Sequence, residues 1–224
     1  MQTKISPKRI LANTLYPRYS AFVDKLNRNP LFVKFIKENE PTAPCFEERY
    51  EMYDHVMKHI GDGAVDYLEF GVWKGASIKY WAEHNAQSES RFAGFDTFTG
   101  LPEAWDFRPA GTFDVEGKIP EINDPRVQFV AGLFQQTLPQ FLNGFSIRNR
   151  LVLHLDADLY SATLYVLARL HHLIVPGTIL MFDEFGDVQH EFRAYNDYIS
   201  SHMRECRVLC GSYQYYTLAL EVVK

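Results

Sequence analysis

Asp156 and Asp158 fall in LHLDADLYS, and Asp183 and Glu184 in LMFDEFG. Each pair directly follows a short apolar run that reads as a strand. Neighbouring parallel strands lie ~4.8 Å apart, so the two acidic loops become neighbours if their strands pair. Carboxylates held so close raise one another's pKa values. An oxygen-only cluster of this kind suits a hard divalent cation, Mg2+ before Mn2+ or Ca2+. Helix capping competes for the same side chains: Asp158 is placed to cap the helix that follows it, and Asp187 the next.

A second group of residues stands upstream. The segment EFGVWKGAS reads as the end of a strand, a turn with Gly71 and Gly75, and the start of a helix carrying Ser77. Small residues there let a ligand approach the backbone. Neither GxxxxGK[ST] nor GxGxxG is present, which argues against a phosphate loop and a nicotinamide or flavin site. Glu69, just before the first glycine, would repel a diphosphate and suits a cationic ligand such as a sulfonium amino acid. Asp96 ends the next strand, where an acid can accept both hydroxyls of a ribose; the alternative is an Asx cap on the turn Thr97 to Gly100. Glu69 and Asp96 together describe an adenosyl ligand with a positively charged tail.

These residues need a scaffold of alternating elements. Strands are expected over 64–70, 91–95, 127–130, 151–155, 178–182, 204–209 and 213–223, the last two as an antiparallel hairpin around Gly211. Helices are expected over 46–60, where Tyr50, Tyr53, Val56, Met57 and Ile60 form an apolar stripe, and over 76–85, 159–174 and 188–202, with a short one after Val130. This alternation predicts an α/β fold with a Rossmann-like, doubly wound, mostly parallel sheet of seven strands. Ligands of such sheets bind at the carboxyl ends of the strands, where the acids stand. The stretch 102–125 has little pattern and holds Trp105, Phe107, Arg108 and Phe113, so it is read as a substrate lid. Residues 1–46, broken by five prolines, form an extension with short helices over 19–26 and 31–38; the main domain spans 47–224. His171 and His172 favour the end of their helix, His154 is read as a satisfied strand histidine, and His190 as a second candidate for a base or substrate contact.

At 224 residues with 46% hydrophobic content the chain can bury a full core without staples. A net charge of −5 gives no electrostatic case for nucleic acid. Three cysteines without a CxxC pair suggest neither a disulfide framework nor zinc. With no signal-peptide pattern and no membrane-length apolar run, the expected location is the cytoplasm. The aromatic N-terminal segment points to a homodimer.

In order, EFGVWKGAS, FAGFDTFTGLPEAW, VQFVAGLFQQTLP, LHLDADLYSATLYVL and PGTILMFDEFG resemble the macrocin O-methyltransferase family over roughly residues 47 to 200. The resemblance implies the class I methyltransferase fold, S-adenosylmethionine as cofactor, and methylation of a hydroxyl on a sugar or glycosylated natural product. It implies Glu69, Gly71 and Ser77 at the methionine end of the cofactor, Asp96 at its ribose, and Asp156 beside it. It further implies Asp156, Asp183 and Glu184 as Mg2+ ligands and Asp158 as general base. The chain departs from the family pattern at Glu184, where a second aspartate is usual, and at Pro176-Gly177, where Gly-Gly is usual. Two other readings compete: a metal-independent methyltransferase acting on another small molecule, such as a phenol, and a non-catalytic binding protein of the same fold.

Overall fold

The computed structural model describes residues 29–39 and 42–224. A helix over 29–39 (α1) precedes β1 (Cys45–Phe46), α2 (Arg49–Ile60), β2 (Val65–Phe70), α3 (Ala76–His84), β3 (Arg91–Asp96), β4 (Val127–Ala131), α4 (Phe134–Leu142), β5 (Arg150–Leu155), α5 (Tyr160–Leu170), β6 (Ile179–Phe182), α6 (Glu191–His202), β7 (Cys206–Ser212) and β8 (Thr217–Val222). The expected helix over 19–26 lies outside the described residues.

All eight strands form one sheet in the order β1-β7-β8-β6-β5-β2-β3-β4. Strands β4, β3, β2, β5 and β6 are parallel, and β8 runs antiparallel to both β6 and β7. The expected seven strands are all present. The eighth, β1, has two residues and pairs parallel with β7, too short to leave any periodic signal in the sequence.

Strand alternation divides the core between the two faces. Leu68, Phe70, Phe95, Leu153, Leu155 and Phe182 pack with Val166 and Leu170 of α5 and Phe192 and Tyr195 of α6. Tyr67, Phe92, Val152 and Met181 face the other way, against Met52, Tyr53 and Val56 of α2 and Ile78 and Trp81 of α3. Phe32 and Phe35 of α1 pack edge-on against Phe192, which places this part of the extension over α6.

The C-terminal hairpin turns later than expected. Gly211 lies inside β7, paired with Leu218, and the turn is made by residues 213–216. Tyr213, Gln214 and Tyr215 all have positive φ. The Tyr215 hydroxyl donates to the Ala43 carbonyl and the Gly186 N–H to the Tyr216 carbonyl. Tertiary anchors therefore hold a left-handed turn that its residue types do not advertise.

Candidate active site

Four strand ends are stitched side by side. The Gly132 N–H donates to the Asp96 carbonyl, Gly71 to Phe95, Asp156 to Phe70 and Asp183 to Leu155, all at 2.8–3.0 Å. Sheet hydrogen bonding thus runs one residue past the strands and sets Asp96, Gly71, Asp156 and Asp183 in a row. Gly71 has φ +97°, and a Cβ there would lie 1.7 Å from the Asp156 carbonyl oxygen, so nothing larger fits between the two loops. Trp73, in the same turn, has φ +48°, an uncommon conformation for a bulky residue.

Asp96 holds this turn. Its Oδ2 accepts from the backbone N–H groups of Val72 and Trp73, both at 2.7 Å, and its Oδ1 accepts from Phe98 N–H at 2.7 Å. The Asx cap weighed from sequence is real, and it coexists with a place in the cavity wall.

The cavity encloses about 260 Å3 above these strand ends. Gly71, Asp96, Asp156, Asp158, Asp183 and Glu184 line it, while Trp73, Phe113, Leu133 and Phe134 give it apolar walls. Glu69 and Ser77 are not among the lining residues. Both are buried: Glu69 accepts a 2.5 Å hydrogen bond from the Tyr67 hydroxyl, and Ser77 accepts one at 3.4 Å from the Tyr53 hydroxyl.

Asp183 has two cationic neighbours. Arg49 Nη1 lies 3.0 Å from its Oδ2, and His154 Nε2 lies 3.6 Å from its Oδ1. Burial alone would raise the Asp183 pKa; His154 and Arg49 outweigh it and hold the carboxyl below its ordinary value. His154 is fully buried, with Nδ1 2.7 Å from the Tyr67 hydroxyl and 3.4 Å from Glu69. Burial opposes its charge, but Asp183 and Glu69 win and push the imidazole up to about 10. It is a satisfied strand histidine, as read, and it sits between two acids assigned to different ligands.

For Asp156, Asp158 and Glu184, burial outweighs any such partner. Burial, then Asp183, raises Asp156 well above the usual carboxylate range. Burial also pushes Asp158 up to about 7, against the pull of Arg108. Glu184 and a residue that sequence reasoning missed, Glu191, are raised by burial and by Asp156. Glu191 Oε2 accepts from the Glu184 backbone N–H at 2.9 Å. Glu184 Oε2 and Glu191 Oε1 are buried without a hydrogen-bond partner. Carboxylate oxygens of Asp156, Asp158 and Glu184 lie within 4.8 Å of one another; a second group joins His154, Asp156 and Asp183. The all-oxygen set with an orphaned Glu184 oxygen fits a hard cation. Asp156 is common to both groups, and Asp158, expected to remain free, is close enough to share the first.

Asp158 is not a helix cap: the N-cap of α5 is Leu159, with no side-chain cap bond, and Asp158 itself has φ +58°. Asp187 accepts from Gln189 N–H ahead of α6, whose N-cap is His190. The other oxygen of Asp187 accepts from Trp105 Nε1 at 2.9 Å. That bond docks the 102–125 stretch, whose Trp105 packs on Ala157, Leu159 and Ala162. Arg108 stacks on Trp105 and Phe107. His190 Nδ1 accepts from Tyr160 N–H and its Nε2 lies 3.7 Å from Asp106; it is engaged with α5 and this loop and does not line the cavity.

The family model described as macrocin-O-methyltransferase (TylF) matches residues 117–206. A Streptomyces olivaceus protein named as an 8-demethyl-8-(2,3-dimethoxy-alpha-L-rhamnosyl)-tetracenomycin-C 4'-O-methyltransferase is 26% identical, over 60% of each chain. The chain thus spans 60% of the length of that curated relative. The crystal structure of CalS11, a calicheamicin methyltransferase, superposes over 98% of this chain and 94% of its own, with a TM-score of 0.58 and 21% identity. NovP, an O-methyltransferase, gives 0.57 at 17% identity over 78% of both chains. A Bacillus cereus O-methyltransferase in complex with SAH gives 0.52 at 18% identity over 96% of both. The fold is that of the class I methyltransferases, and the resemblance carried by the motifs is borne out: this chain resembles the macrocin O-methyltransferase family.

Proposed function

We propose that the chain is an S-adenosylmethionine-dependent O-methyltransferase acting on a hydroxyl of a sugar or glycosylated small molecule, with a divalent cation, Mg2+ first, at the acidic end of its cavity. The observation that carries this reading is the single cavity in which the Gly71 turn and Asp96 meet Asp156, Asp158 and Glu184. The names of the Streptomyces relative and of CalS11, also described as a TDP-rhamnose 3'-O-methyltransferase, support a sugar acceptor.

The cavity fits the cofactor by its chemistry. Asp96 keeps one acceptor site for a ribose hydroxyl while it grips the turn, and the apolar walls suit an adenosyl group. When bound, S-adenosylmethionine supplies the methyl group and the divalent cation supplies Lewis-acid polarisation of the acceptor. Asp156 and Glu184 are the residues that would hold that cation, with Asp183 beside them; Asp158, close to the same group, is kept as the base. Asp158 takes the acceptor's proton as general base. The loop bearing Trp105 and Phe113 excludes water and positions the acceptor over the strand ends.

Isothermal titration with S-adenosylhomocysteine tests the cofactor: saturable heat is expected, and none at millimolar ligand removes the reading. Chelation tests the cation. Turnover on a glycoside acceptor is expected to stop after dialysis against a chelator and to return with Mg2+. One observation favours a metal-independent enzyme instead, because Arg49 and His154 already neutralise Asp183. Turnover indifferent to the chelator would select that second reading.

A further inference from the structure

Arg49 was not singled out by its sequence context. It opens α2, lines the cavity with its side chain about one-third exposed, and is the sole lysine or arginine among the described residues lining it. The other charged lining residues are acids: Asp96, Asp156, Asp158, Asp183 and Glu184.

The adenosyl ligand read for this cavity ends in an amino acid, which brings an ammonium and a carboxylate. The strand order fixes which way that end must lie. Asp96 ends β3; Gly71, Asp156 and Asp183 follow β2, β5 and β6, the next strands in order. Three strand spacings span ~14 Å. On the other side of Asp96, beyond β4, the wall is made by Leu133, Phe134 and Gln135 and carries no charge. A zwitterion on a ligand whose ribose meets Asp96 therefore points along Gly71 toward Asp156 and Asp183. The ammonium finds carboxylates there. The carboxylate would be repelled by them unless a cation meets it, and Arg49 is the cationic side chain that the cavity wall supplies there.

Arg49 is also held in place for the task. Nη1 contacts Asp183 Oδ2 at 3.0 Å, and Tyr213 of the hairpin turn, whose hydroxyl donates to neighbouring Glu48, lies beside it. A guanidinium has five N–H donors, so these partners leave donors for a ligand carboxylate, in the planar geometry that favours two parallel bonds. We propose that Arg49 binds the carboxylate at the amino-acid end of the cofactor, while its contact to Asp183 ties that end to the acidic centre. This assignment rests on the methyltransferase reading above.

Two ligands isolate it. S-adenosylhomocysteine carries the amino-acid end; 5'-methylthioadenosine keeps the nucleoside thioether and lacks that end. Both are titrated calorimetrically into the full chain without added divalent cation, for the native protein, Arg49→Met and Arg49→Lys. The native chain is expected to prefer S-adenosylhomocysteine. Arg49→Met is expected to weaken it by about 10- to 100-fold, the worth of a charged hydrogen bond, and to leave 5'-methylthioadenosine unchanged, with partial recovery in Arg49→Lys. Unaltered S-adenosylhomocysteine affinity in Arg49→Met, or an equal loss for both ligands, overturns the assignment while the methyltransferase reading stands. Should Arg49→Met fail to fold, Arg49→Lys decides: a loss confined to S-adenosylhomocysteine supports the assignment, and an equal loss or none overturns it. A native chain that binds neither ligand overturns both readings together.

Discussion

Asp158 combines three properties that separate it from its neighbours. It is buried, its backbone is left-handed at φ +58°, and its carboxyl is pushed up to about 7. Aspartate tolerates that φ better than most residues, since its short side chain bonds locally. Asparagine tolerates it too, so Asp158→Asn removes the base without straining the turn. Turnover is expected to fall by about 10²- to 10⁴-fold, the usual worth of a general base, while S-adenosylhomocysteine affinity stays near that of the native chain. Single-turnover rates and calorimetry check the two halves, and full turnover would remove Asp158 from that role. The acids at the strand ends were legible because they follow apolar runs. Arg49 and Glu191 were not, because their significance lies in partners on other elements; His154 was legible as a satisfied strand histidine, but its place between Asp183 and Glu69 was not. Glu69 shows how a motif can mislead on contact. Strand alternation puts it on the face of Tyr67, and Tyr67 and His154 take up its carboxylate below the cavity.

At the scale of elements, the parallel strands were legible because strands buried on both faces read as apolar runs. The stretch from Pro102 to Pro125 was legible only as an absence of pattern. Its order comes from contacts: the Leu101 N–H donates to the Thr112 carbonyl and the Gly111 N–H to the Leu101 carbonyl, Pro120 packs on Gly75, and Trp105 reaches Asp187. Glu103 adds a bond from the Ser161 hydroxyl. Phe107 of this stretch is 84% exposed. The Trp105 indole bond links a lid side chain directly to Asp187 in the acidic loop after β6. Trp105→Phe keeps most of the packing on Ala157 and Leu159 and deletes the donor. Limited proteolysis between 100 and 117 is expected to accelerate, and the KM for the acceptor to rise, with little change in cofactor affinity. Cleavage at the native rate would show that packing alone holds the loop.

Across the whole molecule, three acids at the carboxyl end of the sheet and Asp66 at its amino end are treated in opposite ways. At the carboxyl end, burial raises Asp156, Glu184 and Glu191, and their ionised forms cost stability that a bound cation would offset. At the amino end, Asp66 of β2 is buried and fully engaged. Arg91 of β3 grips it with Nε and Nη2 at 2.8 and 2.7 Å, and the backbone N–H groups of Arg148 and Asn149, leading into β5, donate to it at 2.7 and 3.1 Å. One side chain thus ties the three central strands at the end away from the cavity. Burial would raise its pKa, but the Arg91 bonds and the two backbone N–H groups outweigh that and hold it below the ordinary value. A carboxyl with a lowered folded-state pKa contributes stability that is present above its unfolded value, about 3.9, and is lost as pH falls through the folded one. Asp66→Asn leaves Arg91 without its counter-charge and is expected to cost about 3 kcal/mol at pH 7, the low end for breaking a buried ion pair. Its Tm should also fall less steeply than that of the native chain below about pH 4, because one titrating carboxylate is gone. Affinity for S-adenosylhomocysteine at pH 7 should not change, since Asp66 is at the opposite end from the site. Calorimetric scans from pH 3 to pH 7, as roughly the window over which this linkage acts, give the decisive comparison. Parallel Tm profiles for the two proteins would show that Asp66 is not the group whose protonation loosens the central strands.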